Sequence, residues 1–198
     1  AVINGDNNCY AYTTPAVSFQ INPPIKDLVI AAIPEQTYSG SPICPDVSVQ
    51  NGNRTLRKGS DYTTSCANNI NVGDANITIS GIGDYSGSIT KSFKIVQKSV
   101  TGVAVDYNKS LEYTGSAICP EVVLKDGERV LVQNKDYSVA CMNNIEIGTD
   151  AVITVNGMGN YTGSISNIFE ITRKSIESAE LVYNEHPIYT GYALCPEV

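Results

Sequence analysis

The sequence predicts an all-β chain built from tandem small β-sandwich repeats, with a β-grasp-like unit as the alternative. Three observations carry this. The chain repeats itself every 75 to 76 residues, short apolar-alternating runs are separated by turn residues with no helical periodicity, and one cysteine spacing recurs with the repeat.

The repeat is legible by eye. From Tyr38 the chain reads YSGSPICPDVSVQNG, then DYTTSCANNINVG, then ITISGIGDYSGSITKSFKI. From Tyr113 it reads YTGSAICPEVVLKDG, DYSVACMNNIEIG and ITVNGMGNYTGSISNIFEI, and a third copy opens at Tyr189 as YTGYALCPEV. Residues 23–99 and 100–176 are the two full repeats. Ile3-Asn4-Gly5 matches Val155-Asn156-Gly157 and Ser18–Ile21 matches Ile168–Ile171, so residues 1–22 read as the C-terminal strands of an incomplete repeat. Residues 177–198 read as the N-terminal strands of another. Only Lys98–Val100 and Lys174–Ile176 stand between copies, too short for a flexible tether, so the expected array is a semi-rigid rod.

Within the second copy, Val103–Tyr107 alternates as a half-buried strand. A strand from Cys119 to Leu124 follows, ended by a Lys125-Asp126-Gly127 hairpin signal. After Arg129–Leu131 comes a strand over 136–141, with Tyr137, Val139 and Cys141 on one face. Asn143-Asn144 and Gly148 break the chain, Ala151–Val155 is a β-branched run, Asn156-Gly157 is expected to turn, and Ser166–Ile171 closes the unit. About seven short strands per copy suit a sandwich.

Charge and hydropathy exclude several classes. The 198 residues carry a net charge of −7, which argues against nucleic acid or an anionic membrane as partner. No apolar run reaches the length of a membrane span, and none of these residues reads as a secretory signal. Beginning at Ala1, the chain reads as processed or as a segment of something longer.

Cys44 and Cys66 are 22 apart, and so are Cys119 and Cys141, at matching positions of the two copies. Such pairing is read as one disulfide per repeat in an oxidising compartment. Zinc is the competing reading, but the spacing is not CxxC and His186 is the lone histidine. In the chain-entropy picture a loop of this size is worth about 3 kcal/mol, a large share for a small domain. Cys9 and Cys195 remain. Cys195 matches Cys44 and Cys119, so in a longer array its partner lies further on. In a complete subunit, the alternative is an intersubunit Cys195–Cys9 bond, with strands exchanged head to tail to form a filament.

The string Y-T-G…P-E-V…D-Y-x-V…N-N…G-x-G-N-Y-T-G…F-x-I resembles the short tandem immunoglobulin-like repeats of bacterial cell-surface proteins. The match runs in register along the chain and is most specific over Gly81–Gly87 and Gly157–Gly163. That resemblance implies an extracellular module that extends or displays other domains, with no catalytic residues and no cofactor. The paired cysteines are not part of the common pattern.

Sharper readings of single motifs are weaker than bland ones. Gly81-Ile82-Gly83 and Gly157-Met158-Gly159 lack the following helix that a phosphate loop needs. Asp61-Tyr62 and Asp136-Tyr137 recur without a calcium-type ligand string, so the aspartates read as solvated or turn-capping. His186 reads as a surface turn residue. Seven of the twelve tyrosines recur at equivalent positions, which suggests core or corner roles and leaves Tyr10, Tyr12, Tyr107, Tyr183 and Tyr192 as glycan-stacking candidates. Four sequons, at Asn53, Asn76, Asn108 and Asn160, are about the chance number.

The expected function is an extracellular, disulfide-stapled rod, stalk or filament subunit. It would partner with its own copies or flanking repeats. The alternative is an adhesin-like surface module that binds glycan or host protein. No metal, cofactor or catalytic residue is expected.

Overall fold

A computed structural model describes residues 23–177, 179–180, 182 and 191–192. It divides into two units, Ala1–Ile95 and Val96–Val198. The first unit contains β1 (Val29–Ile30), β2 (Gln36–Thr37), β3 (Val49–Asn51), β4 (Arg54–Thr55), β5 (Tyr62–Ala67), β6 (Gly73–Gly81) and β7 (Ser88–Val96). The second contains β8 (Lys98–Ser99), β9 (Ala104–Tyr107), β10 (Ser110–Glu112), β11 (Val122–Asp126), β12 (Arg129–Val130), β13 (Tyr137–Met142), β14 (Gly148–Gly157), β15 (Tyr161–Thr162) and β16 (Ser164–Thr172).

The same pair of main sheets recurs in both units, and the second adds a two-stranded sheet of β8 and β15. Sheet orders are β1-β3-β4 and β2-β7-β6-β5 in the first, β9-β11-β12 and β10-β16-β14-β13 in the second. β10 runs parallel to β16, so a strand near the start of the second unit flanks the last strand. Alternation decides which face is buried. Ala75, Ile77 and Ile79 of β6 turn inward with Val49 of β3, and Ala151, Ile153 and Val155 of β14 turn inward with Leu124 of β11. Phe93 and Ile95 complete one core, Phe169 and Ile171 the other. Each unit is a small all-β sandwich. Among the described residues the only helical segments are two 3-10 turns, Ile25–Asp27 and Val100–Gly102, so the β-grasp alternative lacks the helix that would cover its sheet.

Three local expectations are corrected. Asn156-Gly157 does not turn: β14 runs through it, with Asn156 paired to Ser138 and Ser164. Pairing on both sides holds the dipeptide in the strand, and the glycine serves close approach instead: a Cβ on Gly157 would lie 2.7 Å from the Thr162 backbone nitrogen. The strand expected from Cys119 starts later, at Val122. The Lys98–Val100 connection is itself structured: β8 pairs parallel with β15, and Val100 is fully buried. Lys98–Val100 therefore belong to the second unit. The expectations for 1–22 lie outside the described residues, as do most of those for 177–198.

The drift of the repeat from 75 to 76 residues has a structural cause. Gly73-Asp74-Ala75 pairs in register with Ile95-Lys94-Phe93. Gly148-Thr149-Asp150-Ala151 holds one residue more between positions opposite Ile171 and Phe169, and the ladder shifts there. The extra residue is a β-bulge near the start of β14.

Candidate functional site

The residues that recur between copies come together in three clusters, and each has a mechanical explanation. The first is the Asp-Tyr pair. Asp61 Oδ2 accepts from the Arg57 amide at 2.8 Å, and Asp136 Oδ2 from the Val132 amide at 2.9 Å, so each aspartate caps the turn before its strand. Both are buried rather than solvated, and Arg54 reaches Asp61 at 3.3 Å. The next residue spans the sandwich. Tyr62 Oη donates to the Val47 carbonyl at 2.6 Å and Tyr137 Oη to the Val122 carbonyl at 2.7 Å. Burial pushes both phenols above the ordinary tyrosine value of 10.0.

The second cluster surrounds the crosslinks. Cys44 is bonded to Cys66 and Cys119 to Cys141, with Cα atoms 5.7 and 5.9 Å apart. Each bond ties the segment before the central strand of the smaller sheet to an edge strand of the larger one. Asparagine clamps run beside them: Asn69 Nδ2 donates to the Ile43 carbonyl at 2.9 Å, and Asn144 Nδ2 to the Ile118 carbonyl at 2.8 Å. The positive φ of Asn68 and Asn143, 56° and 53°, turns the chain so that this clamp can form. Cys9 and Cys195 lie outside the described residues, as do His186, Tyr10, Tyr12 and Tyr183.

The third cluster is the G-x-G-[DN]-Y-[ST]-G loop, which receives the incoming backbone of its own unit. Ile25 N donates to Ser86 O at 2.9 Å, and Lys98 N to Asn160 O at 3.0 Å. Gln97 Nε2 adds bonds to the carbonyls of Gly159 and Tyr161. Its tyrosines, Tyr85 and Tyr161, are buried.

Two side-chain features of the second unit have no counterpart in the first, and position-by-position comparison of the copies is the signal that finds them. Lys98 Nζ lies 2.6 Å from Asp126 Oδ1, and Tyr161 Oη donates to Asp126 Oδ2 at 3.0 Å. Burial alone would raise the Asp126 carboxyl, but these two donors outweigh it and hold the group below its ordinary 3.8. The first unit has Pro23 and Asn51 at the matching positions, with Asn51 Nδ2 donating to Tyr85 Oη at 3.4 Å.

The second feature lies on the outward face of the larger sheet. Met142 faces Val152, which faces Ile168, making an apolar row across three strands. Met142 is 65% exposed and Ile168 64%. The matching row in the first unit is Ala67, Asn76 and Ser92, with Ser92 Oγ donating to Asn76 Oδ1.

Of the tyrosines set aside for glycan stacking, Tyr107 Oη donates to the Ile168 carbonyl and Tyr192 is exposed. Open depressions lie at Asn68–Asp74 and Asn143–Asp150, where amide and carboxylate side chains mix with Ile70, Val72 and Ile145. Among the described residues no group of three or more His, Cys, Asp or Glu is placed to hold a metal, and no helix is long and apolar enough to cross a membrane. Compared with known proteins, the chain matches no family model and no curated sequence.

Proposed function

We propose that this chain is a structural repeat segment of an extracellular protein, a disulfide-stapled spacer of the rod, stalk or filament kind built from immunoglobulin-like units. One observation carries the reading. What recurs between the units is scaffold: turn-capping aspartates, phenol-to-carbonyl struts, asparagine clamps, a loop that seats the incoming chain, and one crosslink. In an array of this kind each unit contacts only its neighbours, and stability is set by the units and their interfaces. Crosslinks in both units favour an oxidising compartment. Cys9 and Cys195 would carry any covalent link to a neighbouring chain.

A second reading, adhesion through the second unit, is favoured by the exposed Met142–Val152–Ile168 row. Antibody against the folded chain, applied to intact and then permeabilised source cells, tests location. Thiol labelling of the native protein tests the crosslinks. The spacer reading expects labelling of intact cells, four cysteines protected until reduction, and blank glycan and host-protein screens. Signal only after permeabilisation, or free thiols at Cys44 and Cys119, overturns it. Capture of a glycan or protein that is lost in Ile168→Ser transfers the function to the second reading.

A further inference from the structure

We propose that the hairpin tip of the first unit, Asn51-Gly52, is a spontaneous modification site at which Asn51 becomes aspartate or isoaspartate through a cyclic imide. In the first step the Gly52 backbone nitrogen attacks Asn51 Cγ. A carbon–nitrogen bond forms, the bond from Cγ to Nδ2 breaks, and Nδ2 leaves as ammonia with the proton given up by the Gly52 amide. One water then opens the imide at either carbonyl. Addition at the side-chain carbonyl restores the ordinary backbone, with aspartate in place of Asn51. Addition at the main-chain carbonyl routes the backbone through Cβ as isoaspartate. Water is the only co-reactant, and nothing is oxidised or reduced.

The reaction needs an amide nitrogen that is free to attack and a following residue that does not crowd it. Asn51 pairs with Arg54, so Gly52 and Asn53 form a two-residue tip outside the ladder. Gly52 has φ +58°, and a Cβ built on it would meet nothing within 4 Å. Gly52 and Asn53 are both exposed. Among the described residues the side chain of Asn51 is held by one hydrogen bond, to Tyr85 Oη, at the long distance of 3.4 Å.

Among the described residues, the two comparable dipeptides lack these conditions. Asn156-Gly157 lies inside β14 with a strand on either side, and Gly157 N donates to Gly163 O at 2.9 Å, so its nitrogen is engaged. Asp126-Gly127 occupies the same hairpin tip in the second unit. There the side chain is a carboxylate clamped by Lys98 and Tyr161, which resists conversion to the neutral acid that imide closure requires.

The product has a consequence for the fold. Conversion of Asn51 to aspartate would set a carboxylate against Tyr85, as Asp126 is set against Tyr161, in a unit where proline replaces the balancing lysine. The isoaspartate product would lengthen the backbone between β3 and β4.

The test is to age the purified full chain in mildly alkaline buffer, with and without denaturing urea, and follow each asparagine by peptide mapping. Enzymatic methylation of isoaspartate would identify that product. In the native chain Asn51 should convert roughly tenfold or more faster than Asn156, because conversion at Asn156 waits on opening of a central strand. In urea the two rates should converge, since both precede glycine, and Asn51→Gln should abolish the signal at this site. Equal native rates, or conversion of Asn156 ahead of Asn51, overturns the proposal. So does a native chain in which Asn51 stays intact while it converts readily in urea.

Discussion

At Tyr137 one phenolic oxygen joins the two sheets of a unit. Its bond to the Val122 carbonyl is 2.7 Å and buried, so Tyr137→Phe leaves that carbonyl without its partner. The expected loss is about 1–3 kcal/mol in urea unfolding, and Tyr62→Phe should match it through Val47. The same residues set an alkaline limit. Because the folded state holds both phenols protonated above the ordinary 10.0, their contribution is intact below that pH. It is lost as pH rises from 10.0 through the raised folded values. A pH series of unfolding midpoints should therefore fall in that window, and the double Tyr→Phe variant should fall less steeply. Recurrence in the sequence marks Tyr62 and Tyr137 as structural, while the neighbouring Asp61 and Asp136 are legible only as solvated or capping. Sequence cannot tell which, since the turn that buries them is closed by a bond to a backbone amide. The Asp126 clamp escapes the sequence for the opposite reason: it occurs in one copy only.

Among elements, the bulge of β14 offers a direct trial of how far the two repeats are interchangeable. Deleting Thr149 leaves Gly-Asp-Ala, the sequence that opens β6, and keeps Ala151 opposite Phe169. Stability should change by no more than about 1 kcal/mol, since only the unpaired residue is removed. Deleting Val152 instead moves Ile153 and Val155 by one position and turns them from core to solvent, which should unfold the second unit. Circular dichroism melts of the two deletions distinguish these outcomes. Strand existence was legible because β-branched residues alternate along β6 and β14. Asn156-Gly157 misled because its dipeptide is a turn signal locally, whereas the pairing of Asn156 with both neighbouring strands decides the matter globally. The β8 segment was missed because two residues carry no periodicity, and its pairing is set by the loop it meets.

For the whole molecule, each unit has its own core and its own crosslink, so the two bonds should report separately. Replacing Cys119 and Cys141 by serine should cost the second unit about 2–5 kcal/mol, and replacing Cys44 and Cys66 should do the same to the first. Thermal melts with and without reductant check this: wild type should lose stability on reduction, and the four-serine variant should be insensitive to it. The repeat makes this organisation legible in the sequence itself, while the resemblance behind the immunoglobulin-like reading rests on the motifs alone. The crosslinks also bear on how such a chain would behave under tension. Each bond joins cysteines at a sequence separation of 22, so pulling the ends of an oxidised unit apart cannot extend the stretch between them. At about 3.5 Å per extended residue, this withholds roughly 75 Å of length from each unit that gives way. Reduction would release it, making the oxidised chain the shorter and less extensible tether.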